Sequence, residues 1–100
     1  MKFQNKPKGG QIVVIEGGYG DAPGTIGRII TIRDTFMSGI LTYLIASIRF
    51  DNIDGFIYLE QDLRPATEGE KKLFRQAEKE GKCTIHVSEM KAHKHEAKPV

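Results

Sequence analysis

The sequence predicts a mainly β domain: a small barrel of about five strands with one short C-terminal helix. Short β-branched runs recur at close spacing along the first two-thirds of the chain, as in small closed β folds. Eleven glycines in 100 residues exceed the usual share of about 7%, which suits a fold with many tight turns. A single helix signature, with its own start and stop signals, appears only after residue 66.

The elements follow in order. Residues 1–9 read as a flexible basic arm, with Lys2, Lys6 and Lys8 around Pro7. Gln11–Ile15 is β-branched and bounded by Gly9–Gly10 and Gly17–Gly18, so it reads as a strand. Glu16–Gly24 is a loop whose glycines and Pro23 permit sharp turns. Thr25–Arg33 is the second strand, with Ile26, Ile30 and Ile32 on one face and Arg28 interrupting it. Gly27 inside that run implies a bulge or a close backbone approach. After a connection at residues 34–39, Leu41–Phe50 alternates Leu44, Ala46, Ile48 and Phe50 on one face. Helix is also compatible with its spacing, but β-branched and aromatic content favours strand. Asp51–Gly55 reads as a hairpin loop, because Asp-Gly tolerates positive φ, and Phe56–Leu59 as the return strand. Val14, Ile30, Ile48 and Leu63 are expected to share one core.

Thr67-x-x-Glu70 is a capping box for a helix near residues 68–80. Glu68 and Glu70 stand at its positive end, Lys79 and Lys82 near its negative end, and Gly81 terminates it. Leu73, Phe74 and Ala77 form one apolar stripe. Cys83–Val87 returns to period two as a last strand of the 10–87 domain, and residues 88–100 are a polar tail.

At the level of the whole chain, 100 residues make one domain. The net charge of +2 is weaker than a dedicated nucleic-acid binder usually carries. Cys83 is the lone cysteine and the first residues lack an apolar signal region, so a cytoplasmic location is expected. The longest weakly polar stretch, residues 35–48, is too short to span a bilayer.

The segment Gly10–Ile32 resembles the opening of SH3-like barrels. It is similar to the KOW motif: a strand, a glycine-rich loop, then G-x-x-G (Gly24 and Gly27) and a second strand. Ile48–Thr67 is similar to the closing strands of small SH3-like proteins of phages and mobile elements. The resemblance implies an accessory or regulatory binding protein, or a KOW-like RNA- or DNA-binding module. KOW loops that touch RNA usually carry basic residues beside their glycines; this loop carries Glu16 and Asp21 with Tyr19.

No residue set converges on catalysis, and none points to a cofactor or metal. Gly18–Gly24 is glycine-rich, but the segment after it is β-branched rather than the helix a phosphate loop needs. His93 and His95 lie in a lysine-rich tail without the four spaced ligands of a structural zinc site. Cys83 reads as a core cysteine, because His86, three residues on, faces the other side of a strand. Asp51, Asp54, Glu60 and Asp62 are explained by turns.

Arg28, Arg33, Arg49 and Arg64, with Tyr19, Phe36, Tyr43 and Tyr58, could form a basic surface with aromatic platforms. Otherwise each arginine covers a sheet edge or pairs with an acid. The expected partner-binding residues are Tyr19, Asp21, Arg28, Arg33, Phe36 and Arg49. A protein partner is favoured, with nucleic acid as the alternative and no membrane role.

Overall fold

The structure, a computed structural model, describes residues 3–34, 41–49 and 52–90. Within the strands, the side chains of residues 33–34, 41, 44, 46–49 and 52–55 lie outside that description. Among the described residues the fold is mainly β, an antiparallel sheet of six strands with a twelve-residue α-helix and one 3-10 turn. The strands are β1 (Ile12–Ile15), β2 (Thr25–Asp34), β3 (Leu41–Arg49), β4 (Asn52–Leu59), β5 (Leu63–Pro65) and β6 (Ile85–His86). Their order is β4-β3-β2-β1-β5, with β6 on β2. The helix α1 spans Glu68–Lys79, and the 3-10 turn spans Glu60–Asp62.

Strand β2 belongs to both halves of the sheet. Its first residues, Thr25–Arg28, pair with β1, and Ile29–Asp34 pair with β3. The change of register between Ile29 and Thr31 is a β-bulge, which bends a strand and re-aims its side chains. This corrects the expected face of β2. Ile26 is buried and Ile32 partly so, but Ile30 between them is 47% exposed, and Ile29 takes its place in the core. Gly27 marks a close approach, as expected: the Ile45 side chain occupies the space a Cβ there would need.

All four residues of β1 are buried, because both faces of the strand are covered. Val13 and Ile15 join Ile29, Tyr43, Ile45, Tyr58 and Leu63, with Phe3 and Phe56 packed alongside. Ile12 and Val14 join Ile26, Ala66 and Phe74 beneath the helix. The single expected core is therefore two clusters: Val14 lies in one, Leu63 in the other, and the side chain of Ile48 is outside the described residues. Among the described side chains of β3, Tyr43 and Ile45 are buried; the expected face of Leu44, Ala46, Ile48 and Phe50 lies outside the described side chains. Asp54 and Gly55 also depart from expectation. They sit inside β4, opposite Ser47 and Ala46, so the hairpin turns earlier than Asp-Gly.

The helix forms where its caps place it. Thr67 Oγ1 accepts the Glu70 N–H at 3.2 Å, and a Glu70 carboxylate oxygen accepts the Thr67 N–H at 2.8 Å. At the other end Gly81 has φ +86°. The Lys82 N–H donates to Ala77 and the Gly81 N–H to Glu78, the two bonds of a Schellman cap. Phe74 and Ala77 are buried and Leu73 is partly so. Cys83 is half-buried rather than a core residue, since the last strand shrinks to Ile85–His86.

Candidate binding loop

The β1–β2 connection, residues 16–24, is clamped at its base, its centre and its exit. Leaving β1, the Glu16 and Gly17 N–H groups donate to the Asp62 carbonyl at 2.7 and 3.3 Å. The Gly24 N–H returns to the Ile15 carbonyl at 2.7 Å, and the Thr25 hydroxyl donates to the Ala22 carbonyl at 2.7 Å. In the centre, Tyr58 reaches up from β4. Its hydroxyl accepts the Asp21 N–H at 2.7 Å and donates to the Asp21 carboxylate at 2.8 Å.

Two glycines let the loop lie this close. Gly18 has φ +94°, and a Cβ on it would meet the Tyr58 ring at 2.9 Å. At Gly20 the same atom would overlap the Tyr58 hydroxyl and the Phe56 side chain. The residue between these glycines is Tyr19, whose side chain is fully exposed at 105% of its reference area. A clamped loop thus holds one aromatic side chain out in water.

The loop and its base carry carboxylates: Glu16 and Asp21 within it and Asp62 against Gly17 and Gly18. Asp21 and Asp62 accept from neutral donors, the Tyr58 hydroxyl and the Leu59 N–H. Glu60 accepts from the Tyr43 hydroxyl at 3.4 Å; burial first, and Glu60 second, push that phenol above its ordinary value. Glu16 has only a loose contact, 3.9 Å, with Arg64.

Arg64 itself is committed elsewhere. It makes a bidentate pair with Glu70 at 2.8 and 2.6 Å, and Glu70 is only 6% exposed. That pairing raises the Arg64 pKa and holds the Glu70 carboxyl below its usual range.

Of the six expected partner-binding residues, the fold brings Tyr19 and Asp21 together. Arg28 stands apart on the helix side. Its guanidinium makes a bidentate pair with Glu78 at 2.9 and 2.7 Å and donates to the Gly10 carbonyl at 2.7 Å. It also lies 5.5 Å from the centre of the Phe74 ring. Arg33 and Arg49 are placed by backbone alone, opposite Thr42 and Asn52. At the rise of a strand these two registers are about 23 Å apart, so the pair marks opposite ends of β3. Phe36 lies outside the described residues.

Tyr43 and Tyr58 are not stacking platforms, because both are buried. Tyr58 is instead the anchor of the loop. Sequence alone offered no signal for that role beyond its type, since the contact spans 37 residues.

A second concave feature, an open groove of about 400 Å³, runs beside the N-terminal arm and is lined by Phe3, Lys6, Lys8 and Pro65 among others. Among the described residues no group of three or more His, Cys, Asp or Glu side chains is placed to hold a metal ion. No helix among them is long and apolar enough to cross a membrane. Compared with known protein families, curated proteins and solved structures, the chain has no match.

Proposed function

We propose that this chain is a non-enzymatic protein-binding module on a small SH3-like barrel, an accessory or regulatory protein of the cytoplasm. Its docking element is the loop at residues 16–24, and its anchor is Tyr19. The SH3-like reading is supported by β2 serving both halves of the sheet and by the 3-10 turn ahead of the short strand β5. The observation that carries the function is the exposure of Tyr19 on a loop hydrogen-bonded at its base, centre and exit. Fully exposed tyrosines on pre-ordered backbone cost little to immobilise, and aromatic anchors dominate protein interfaces.

Nucleic acid is the second reading, and one observation favours it: Lys6 and Lys8 line the same groove. Against it, two of the three arginines with described side chains, Arg28 and Arg64, are each neutralised by a bidentate glutamate, while the third, Arg75, is exposed on the helix. The loop also carries Glu16 and Asp21, with the Asp62 carboxylate against Gly17 and Gly18, and these would repel phosphate.

Affinity capture from lysate with and without nuclease separates the readings. Recovery by wild type that survives nuclease and is lost in Tyr19→Ala is the expected result. A hot-spot aromatic is worth about 2 kcal/mol or more. Titration with a single-stranded oligonucleotide at two salt concentrations is the complement. Tight binding that weakens with a log–log salt slope of about −0.7 per phosphate neutralised, shallower in Lys6→Ala/Lys8→Ala, would replace the protein reading by the nucleic-acid one.

A further inference from the structure

We propose that the chain forms a two-fold dimer by pairing the free edge of β4 with β4 of a second copy. The two ends of the sheet differ in a way that matters for association. At one end β5 is three residues long and finishes in Pro65, which has no N–H to offer. Short strands and edge prolines are common protections against edge pairing. At the other end β4 runs for eight residues, NIDGFIYL, without proline, lysine or arginine and with Asp54 as its one charge. Among the described residues β3 is its only strand neighbour.

In an antiparallel ladder alternate residues turn their N–H and C=O away from the neighbour. The Leu59 N–H is one of these and is taken by the Asp62 carboxylate at 3.1 Å. Alternation places Ile57, Gly55 and Ile53 in the same outward row, beyond the reach of that cap.

The side chains agree with the backbone. Ile57 is 62% exposed, in a cross-strand row with Leu44 and Thr31, and Ile53 stands opposite Ile48 in the ladder. Among the described side chains of the hairpin, Tyr43, Ile45 and Tyr58 are buried, while Ile57, on the other alternation, is exposed.

A second copy is the occupant that fits. It brings an open strand of the same length, and the pairing closes on itself, because the protected β5 end cannot extend the contact into a filament. A two-fold axis at Gly55 sets Ile53 against Ile57 of the second copy and Asp54 against Phe56, so no like charges face each other directly. It also leaves the Tyr19 loop of each copy outside the β4–β4 pairing.

Sedimentation over a hundredfold concentration series tests this. Wild type is expected to shift from monomer to dimer. Ile57→Lys is expected to raise the dissociation constant at least tenfold with an unchanged melting curve. Gly55→Cys in a Cys83→Ser background is expected to give a covalent dimer on mild oxidation, since residues facing across an antiparallel pair lie about 4.5–5.5 Å apart at Cα, within disulfide reach. Wild type that stays monomeric throughout the series overturns the proposal, as does a dimer that survives Ile57→Lys unweakened. The wild-type measurement stands alone if either variant fails to fold.

Discussion

The two halves of this sheet are held together by different physics. The half made of β3, β4 and the end of β2 is a meander of sequential neighbours. Strands β3 and β4 pair from Thr42–Leu59 to Arg49–Asn52, and Ile29, Tyr43, Ile45 and Tyr58 form a core that β1 and β5 complete with Val13, Ile15 and Leu63. The half made of β1, β5, β6 and α1 is assembled from distant segments. Short ladders there are supplemented by ion pairs, Arg28–Glu78 across 50 residues and Arg64–Glu70 beneath the helix N-terminus. Long ladders leave a hairpin free to expose an edge and an outer face. Short ladders need side-chain clasps, and those clasps consume two arginines, Arg28 and Arg64, that a nucleic-acid surface would use.

The helix-side half is most sensitive at Phe74, which fills the cluster under the helix. Phe74→Ala is expected to cost about 3–5 kcal/mol in denaturant unfolding, because a buried aromatic leaves a large cavity. It should also free Arg28 from its ring contact.

Arg64→Ala comes next, at about 3 kcal/mol, the lower end for breaking a buried pair. The low end applies because the arginine keeps 19% of its side chain in water.

The same clasps predict an acid limb. Hydrogen bonding from Arg64 lowers the Glu70 pKa, and hydrogen bonding from Arg28 lowers that of Glu78, both from an ordinary 4.5. The unfolded state then binds more protons than the folded state, so stability rises with pH in that range. The contribution is fully present above 4.5 and fades as pH falls through the depressed folded values. Glu70→Gln should flatten this limb in a urea series taken at stepped pH; an unchanged slope would mean the pair is already open in solution.

Tyr58→Phe tests the junction between halves. Losing both hydroxyl bonds should cost about 1–2 kcal/mol and accelerate amide exchange at Asp21, with exchange in β3 little affected. Thr67→Ala should cost about 1 kcal/mol and quicken exchange over residues 68–71. The smallest effect is expected at Ile30, where Thr should change stability by less than about 0.5 kcal/mol. A larger loss there would show that the bulge buries it after all.

Local signals made the helix legible: its capping box, its terminal glycine and its apolar stripe lie within fifteen residues of one another. Strands β1 and β2 were legible for the same reason. The burial of Tyr43 and Ile45 in β3 was not, because they alternate with Leu44 and Ala46, and both sets are apolar enough for a core. Nor was the bulge that turns Ile30 outward, since nothing at Ile29–Thr31 departs from a regular β-branched run. For the candidate loop, sequence pointed to Tyr19 and Asp21. Its anchor on Tyr58 and the capture of Arg28 by Glu78 depend on contacts across 37 and 50 residues, and no spacing rule reaches that far.

The anchoring of the loop by Tyr58 also orders events in time. Contacts between sequence neighbours form early, because closing a short loop sacrifices less chain entropy than closing a long one. The β2–β3–β4 meander is therefore the part to nucleate first. Residues 16–24 reach their final shape only once Tyr58 is seated and β5 has returned to β1. In a half-folded chain Tyr19 is just another tyrosine in a glycine-rich coil. A partner that recognises it in its finished setting thereby distinguishes molecules that have completed folding from those that have not.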